Sequence, residues 1–337
     1  MTAVLRPVAR SGDLDEGWDA LAATPFQRRA FLGHLETVNP CGQRYWEWHE
    51  DGRIRAGAVA YDLRLDLLTF LGLPSPVRMT ILGLPVSVGS PGVLGDPDGI
   101  RDLVAACLPR ERGLVVGLNL DREFPVSGGT WGRTLPSVEM EVPWRSFSEY
   151  RQALRSDYRR RLGRVLSRWK GVSTERLPCG AYTGPMHHLY QEVWRRSEGR
   201  LERLEPAFFT GLPRECHLSV HRDGEALVAW HVAWTEGPRR WFLFGGVDYR
   251  TLGTRATYFN LLVAILREAI DDGVRWLDLG QTAEVPKMRL GGRCRDRRMF
   301  GWHRSAAVRW LVRRGRPWLE YRRVVPPAHP FVHGGAA

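Results

Sequence analysis

The chain has no apolar run approaching the roughly 18–20 residues that cross a bilayer as a helix, so no membrane span is expected. Its start, "MTAVLRPVARSGDLDEGW", lacks the apolar core and cleavage site of a secretory leader, which predicts a cytoplasmic protein. Cysteine is sparse: Cys41, Cys107, Cys179, Cys216 and Cys294 are odd in number, far apart and form no CxxC pair. They read as free thiols in a reducing compartment, excluding a disulfide frame and giving no metal site. A Gly-x-Ser-x-Gly elbow and a convincing Cys–His pairing are both missing, so no serine or thiol nucleophile is indicated. Lysine is nearly absent as well, and the net charge of +12 comes almost wholly from arginine.

What is present is enough for sizeable cores: 43% hydrophobic residues and 14 Trp, which excludes wholesale disorder. A length of 337 residues favours two domains over one. The charge is uneven, since residues 1–150 are nearly balanced while 151–170 and 289–323 hold most of the surplus. That points to polyanionic partners such as tRNA, a nucleotide-bearing cofactor or an acidic carrier protein; an arginine-rich proteome is the bland alternative.

One pattern occurs twice. "WHEDGRIRAGAVAY" (48–61) and "VHRDGEALVAWHVAW" (220–234) each place His, one residue, then Asp-Gly before a run rich in Ala and Val. Asp51-Gly52 and Asp223-Gly224 are hairpin signals, because tight hairpin turns need positive φ. Each hairpin is followed by a helical stretch and a short apolar strand, 113–120 in one half and 274–280 in the other. The matched order predicts a duplicated domain. In the second copy, Ser146 and Glu149 fit a capping box opening a helix over about 148–170. Its apolar stripe is Tyr150, Leu154, Tyr158, Leu162, Val165 and Trp169, and its other faces carry seven arginines against only Asp157 as counter-charge on the helix body. A helix over 186–201 and strands over 216–222, 226–235 and 240–247 follow. Thr254 is read as the cap of the next helix, which stops at Gly273 before a strand at 275–279. Hairpins plus a crossover helix make the sheet mixed, which is incompatible with a doubly wound nucleotide fold.

This order resembles the GNAT acyltransferase fold, and its duplication resembles the tandem form found in Fem-type aminoacyl-tRNA-dependent transferases and BioF2-like acyltransferase domains. The resemblance rests on "LRSDYRRRLGRVLSRWKG" (154–171), on the strand–turn–helix–strand run over 242–280 and on "GQTAEVPKMRLGG" (280–292). It covers about 15–315. It implies an α/β fold of two GNAT-type domains, each a mixed β-sheet flanked by helices: 1–145, then 146–315 with the active cleft, then a basic, Pro-rich tail over 316–337. GNAT proteins hold a pyrophosphate on a Gln/Arg-x-x-Gly-x-Gly/Ala turn at a helix N-terminus. Here Arg250, Gly253, Thr254 and Arg255 form a degenerate version with Arg255 in the small position; a plain β–α turn is the alternative.

The resemblance further implies N-acyl transfer from an activated thioester, on coenzyme A or a carrier protein, to an amine acceptor by direct attack in a ternary complex. Aminoacyl-tRNA is the alternative donor, which would make the chain a Fem-like amide-forming transferase. A non-catalytic tandem module binding RNA or a carrier protein is the third reading. No permanently bound cofactor is expected, and the acceptor would be an amine-bearing small molecule or peptide. Lys287 is the first catalytic candidate, to stabilise an oxyanion or hold the donor's phosphate end; a solvated loop lysine is the bland reading. Gln281 could hydrogen-bond substrate or fill a turn. The strand before the turn has no Glu, so Asp248 at its end and His231 on the neighbouring strand are the candidate bases, with a core histidine satisfied by backbone as the bland reading of His231. Tyr258 could return a proton to the leaving group or simply pack. Arg155, Arg159 and Arg160 represent the polyanion-facing surface of the arginine helix, whose alternative is a solvated face.

Overall fold

The computed structural model describes residues 2–66, 76–86, 88–197 and 203–332. The chain divides into two compact units, Met1–Leu135 with Asp296–Arg323, and Pro136–Arg295 with Val324–Ala337. The first opens with β1 (Ala3–Val8), α1 (Trp18–Leu21), α2 (Arg29–Val38), β2 (Arg44–Glu50) and β3 (Arg53–Asp66). It continues through β4 (Pro76–Leu82), β5 (Val93–Gly95), α3 (Pro97–Cys107) and β6 (Leu114–Leu120). Strand β7 (Thr130–Glu141) runs from the first unit into the second. There follow α4 (Phe147–Ala153), α5 (Ser156–Ser167), β8 (Val172–Pro178), α6 (Gly184–Arg196), α7 (Pro206–Thr210) and β9 (Cys216–Asp223). Next come β10 (Ala226–Glu236), β11 (Arg239–Val247), α8 (Leu252–Arg255), α9 (Thr257–Asp271), β12 (Trp276–Gln281) and α10 (Glu284–Arg289). Strand β13 (Arg293–Trp302) and helix α11 (Ala306–Leu319) return the chain to the first unit.

Both units carry the same mixed sheet. The first has the order β1-β2-β3-β4-β6-β13, with β5 on β3. The second has β8-β9-β10-β11-β12-β7. In each, one adjacent pair is parallel, β4–β6 and β11–β12 respectively, and the remaining pairs are antiparallel. The duplication read from the two hairpins is therefore visible strand by strand.

The closing strands are exchanged. β13 follows β12 in the chain yet pairs with β6, while β7 follows β6 yet its second half pairs with β12. This is why units and sequence halves differ: the boundaries expected after 145 and 315 ignore a strand that leaves each half to complete the other sheet. Side-chain burial fits the exchange. Phe300 and Trp302 of β13 sit in the first core, and Val138 and Met140 of β7 in the second. Phe300 lies opposite Gly117, where a Cβ would come within 2.3 Å of its ring, so glycine is what lets the ring lie on the strand.

Local chemistry explains most element ends. Asp96 caps α3 by accepting the Gly99 N–H at 3.0 Å, with Pro97 supplying a pre-set first position. α9 buries Leu262, Ile265, Leu266, Ala269 and Ile270 at helical spacing and stops before Gly273, whose φ is +66°. Asp51-Gly52 forms the first hairpin turn with both φ positive. The second turn sits one residue later than expected, on Gly224-Glu225, and Asp223 stays in the strand opposite Ala226.

The arginine-rich helix expected over 148–170 is broken. α4 ends at Ala153, α5 begins at Ser156, and Arg155 between them is extended at φ −58°, ψ 153°. Residues near the C-terminus cause the break: Arg155 N–H donates to Pro330 O at 2.8 Å, and Leu154 bridges to Phe331. The capping-box reading is half met. Ser146 accepts the Glu149 N–H at 3.2 Å, but Glu149 reaches the N–H of Arg145 and leaves that of Ser146.

Candidate active site

The two sheets differ at one functionally telling place. In the first unit the parallel ladder between β4 and β6 reaches Leu82, the last residue of β4. In the second unit β11 and β12 pair only through Arg239–Trp276, Arg240–Leu277 and Trp241–Asp278, and then part. Phe242–Val247 thus have no partner in β12, and a gap opens with backbone donors and acceptors along its edge. A bulge marks its start. Val232 lies opposite Phe244 and Ala233 opposite Phe242, so Leu243 is an extra residue that bends β11 away.

The end of β12 closes the other side of this gap. Gly280, Thr282 and Ala283 have φ of +71°, +62° and +49°, an unusual left-handed run that non-glycine residues adopt only when their surroundings impose it. Lys287 is part of what imposes it. Its side chain is 1% exposed, and Nζ donates to the carbonyls of Gln281 at 2.7 Å and Gly280 at 3.2 Å. Burial pushes the ammonium down to about 8, while Asp278 and Glu284 favour its charged form. Both carboxylates are buried too, and Asp278 also accepts the Gly280 N–H at 2.7 Å. Lys287 thus lies on helix α10, buried and held by two backbone carbonyls, and the solvated-loop reading is overturned. Asp278 and Glu284 were missed from the sequence, though Glu284 and Lys287 stand three apart, the spacing of one helical face.

Tyr258, the second residue of α9, is half-buried against the core. Burial raises its hydroxyl above the usual tyrosine range, reinforced by Tyr249 and Glu284, so it lies within electrostatic reach of the same cluster. Gln281 is present through its backbone at the gap, its carbonyl held by Lys287.

Other sequence candidates fall elsewhere. His231 is wholly buried in a relay: Thr174 Oγ1 meets His221 Nδ1 at 2.9 Å, and His221 Nε2 meets His231 Nδ1 at 3.2 Å. His231 Nε2 then donates to Glu268 at 3.2 Å. Because Glu268 is ionised it accepts from His231 Nε2, which for neutral rings makes each Nδ1 the acceptor. Ser219 also donates to Glu268 at 2.7 Å, and buried Arg240 stands 3.1 Å from Asp272. Burial pushes His221 down to about 3. Burial works to raise the Glu268 carboxyl, yet the bonds from His231 and Ser219 and the nearby Arg240 hold it at about 2. A histidine so enclosed cannot meet a substrate, so the general-base reading of His231 is replaced by a structural one.

Asp248 is not a free base either. It accepts the Arg250 N–H at 3.0 Å and pairs with the Arg250 guanidinium at 2.9 Å, which holds its carboxyl below the usual range. The expected phosphate turn is similarly self-satisfied. Thr251 N–H bonds Asp248 O at 3.0 Å, and Arg255 pairs with Asp223 and donates to the carbonyls of Arg168 and Lys170. Thr254 is exposed in α8 and does not cap α9, which starts at Thr257 after Ala256 in the left-handed conformation. Gly253 faces open space. On the arginine helix, Arg159 donates to three carbonyls, those of Arg151, Gln152 and Leu154, sealing the end of α4. Arg155 donates to Phe331 O at 3.0 Å, and Arg160 stays exposed. Among the described residues no cluster of metal-ligating side chains occurs, and no helix is long and apolar enough to cross a membrane.

Residues 152–288, all in the second unit, match the Acetyltransferase (GNAT) domain family. No curated protein matches the chain at a significant level. Among solved structures, FemX is similar over 93% of this chain and 100% of its own, at 10% identity and TM-score 0.55. A tandem GNAT protein from the clavulanic acid biosynthesis pathway is similar over 89% of this chain and 98% of its own, at 14% identity and TM-score 0.50. The C-terminal domain of a candidate lysylphosphatidylglycerol synthetase from Agrobacterium fabrum is similar over 77% and 84%, at 11% identity and TM-score 0.51. Identities this low speak to fold alone. With the repeated sheet and the domain match together, the chain has a tandem GNAT fold in which residues 152–288 match the GNAT acetyltransferase domain, and its class of chemistry is acyl transfer.

Proposed function

We propose that the second unit transfers an acyl group from a thioester, borne by coenzyme A or a carrier protein, to an amine by direct attack. The observation that carries this reading is the parting of β11 from β12 after Trp241 and Asp278, which has no counterpart in the first unit. A linear donor arm can lie along the free edge of β11 and take backbone hydrogen bonds from it, as an added strand would. Amine nitrogen attacks the carbonyl carbon, the C–S bond breaks, the amine loses its proton and the thiolate regains one. Backbone N–H groups at the Leu243 bulge suit the developing oxyanion, a task that fixed donors perform without reorganisation. Tyr258, half-buried beside the Lys287 cluster, is assigned the relay of the amine proton to sulfur. Lys287 positions: it braces the carbonyls of Gly280 and Gln281, and with them that side of the gap.

A second donor is favoured by the phosphate turn. Asp248 already takes the Arg250 N–H on its carboxylate and the Thr251 N–H on its carbonyl, so the turn offers a pyrophosphate fewer free donors, which supports an aminoacyl ester on tRNA over coenzyme A. Single-turnover amide formation with acyl-CoA, an acyl-carrier thioester and aminoacyl-tRNA distinguishes the donors. Gly253→Val has room for its side chain, so it should fold and slow a coenzyme A donor selectively. Absence of amide product from all three donors would defeat the proposal.

A further inference from the structure

We propose that α11 of the first unit seats this protein on an anionic lipid surface. The helix has 14 residues and none of them is buried. Its inner side is accounted for: Val312 packs on Gly301, and Arg309 donates to the carbonyls of His303 at 2.9 Å and Arg304 at 3.0 Å. Its outer side is a mixed stripe. Trp310, Arg314 and Trp318 stand four residues apart in one row, with Leu311 beside them. Trp310 is 54% exposed, Leu311 58% and Trp318 83%, an amount of bare apolar surface unusual for one short helix.

The charge on the same side selects the occupant. α11 contains no Asp or Glu. Arg316 is paired with Glu320 at 3.1 Å, but Arg313 and Arg314 are exposed and have no ion-pair partner among the described residues. Arg314 lies over the Trp310 ring at 5.9 Å, so cation and indole are presented together. Indole rings prefer the boundary between headgroups and acyl chains, and guanidinium groups prefer the phosphates just above it. A convex row of this composition fits a flat anionic interface. Leu311 would enter the acyl boundary, a role that neither a phosphate backbone nor stacked bases offers an aliphatic side chain. The helix would lie in the surface plane, since no described helix is able to span.

The test is flotation of the full chain with vesicles of phosphatidylcholine alone and of phosphatidylcholine with phosphatidylglycerol. Binding is expected only to the anionic vesicles and should weaken with salt. Trp310→Ser with Trp318→Ser, and separately Arg313→Glu with Arg314→Glu, should each cut binding by about tenfold or more. Both pairs are exposed and outside the acyl-transfer gap, so folding and transfer to a soluble acceptor should persist. No binding to anionic vesicles overturns the proposal, as does equal binding by the variants, which would move the contact to another basic face. Loss of tRNA binding in these variants, with vesicle binding absent throughout, would assign the row to nucleic acid instead.

Discussion

Lys287→Met keeps most of the buried stem while removing the donor that holds the Gly280 and Gln281 carbonyls. The positive-φ run after β12 then loses its brace, so turnover should drop by roughly 10²-fold or more, about 3 kcal/mol, with donor affinity less affected. Because the ammonium has been pushed down to about 8, the parent enzyme should lose turnover as pH rises through that value. A parent profile flat across that range, or unchanged turnover in the variant, would remove Lys287 from the site. Gly246→Ala is a second probe at this scale. A Cβ there would stand 2.3 Å from Trp230 Nε1 and 2.8 Å from Leu189, and Trp230 is anchored to Met186 O at 2.8 Å. Overpacking of that kind costs about 1–3 kcal/mol, measurable as a lower urea midpoint at unchanged slope.

The Thr174–His221–His231–Glu268 relay ties strands β8, β9 and β10 to helix α9, and it gives that layer a definite pH response. His221 is held near 3 against an unfolded value near 6.5, so between these limits the unfolded chain binds more protons and stability falls as pH falls. Glu268, held at about 2, adds a loss of the same sign as pH drops below its unfolded value of 4.5. Urea midpoints should therefore decline from pH 7 downward. His221→Asn should flatten the upper part of that decline, above pH 4.5, and leave the part that belongs to Glu268. A variant whose decline matches the parent throughout would show that the relay does not govern acid stability.

At the scale of the molecule, the repeated fold was legible because its signals are local. Asp-Gly turns, an apolar strand after a helix and the Gly273 stop are written in consecutive residues, and the second-unit strands lie where their alternation places them. The strand exchange was not legible. Nothing in "RCRDRRMFGW" says that Phe300 must lie over Gly117, because that fit joins positions far apart in the chain. The site was legible in part for the same reason. Lys287 and Tyr258 stand in motif positions, whereas the burial of Asp278 and Glu284, and the enclosure of His231, arise only when strands and helices pack. One consequence is testable by truncation: residues 1–145 alone lack β13, so they should be poorly soluble and show little cooperative unfolding. Residues 1–145 supplemented by a linked copy of 293–323 should recover a folded unit.

The exchanged strand also sets a schedule. The edge of β6 is made by Leu120, but the backbone that covers it is not complete until Trp302 has been added. At about 5–20 residues per second, a ribosome leaves that edge uncovered for roughly 10–40 s. During this interval the nascent first unit carries an open strand beside apolar residues awaiting Phe300, which is the kind of surface that recruits chaperones or neighbouring nascent chains. Yield in cells should therefore depend on elongation rate and on chaperone supply more steeply than the stability of the finished protein would suggest.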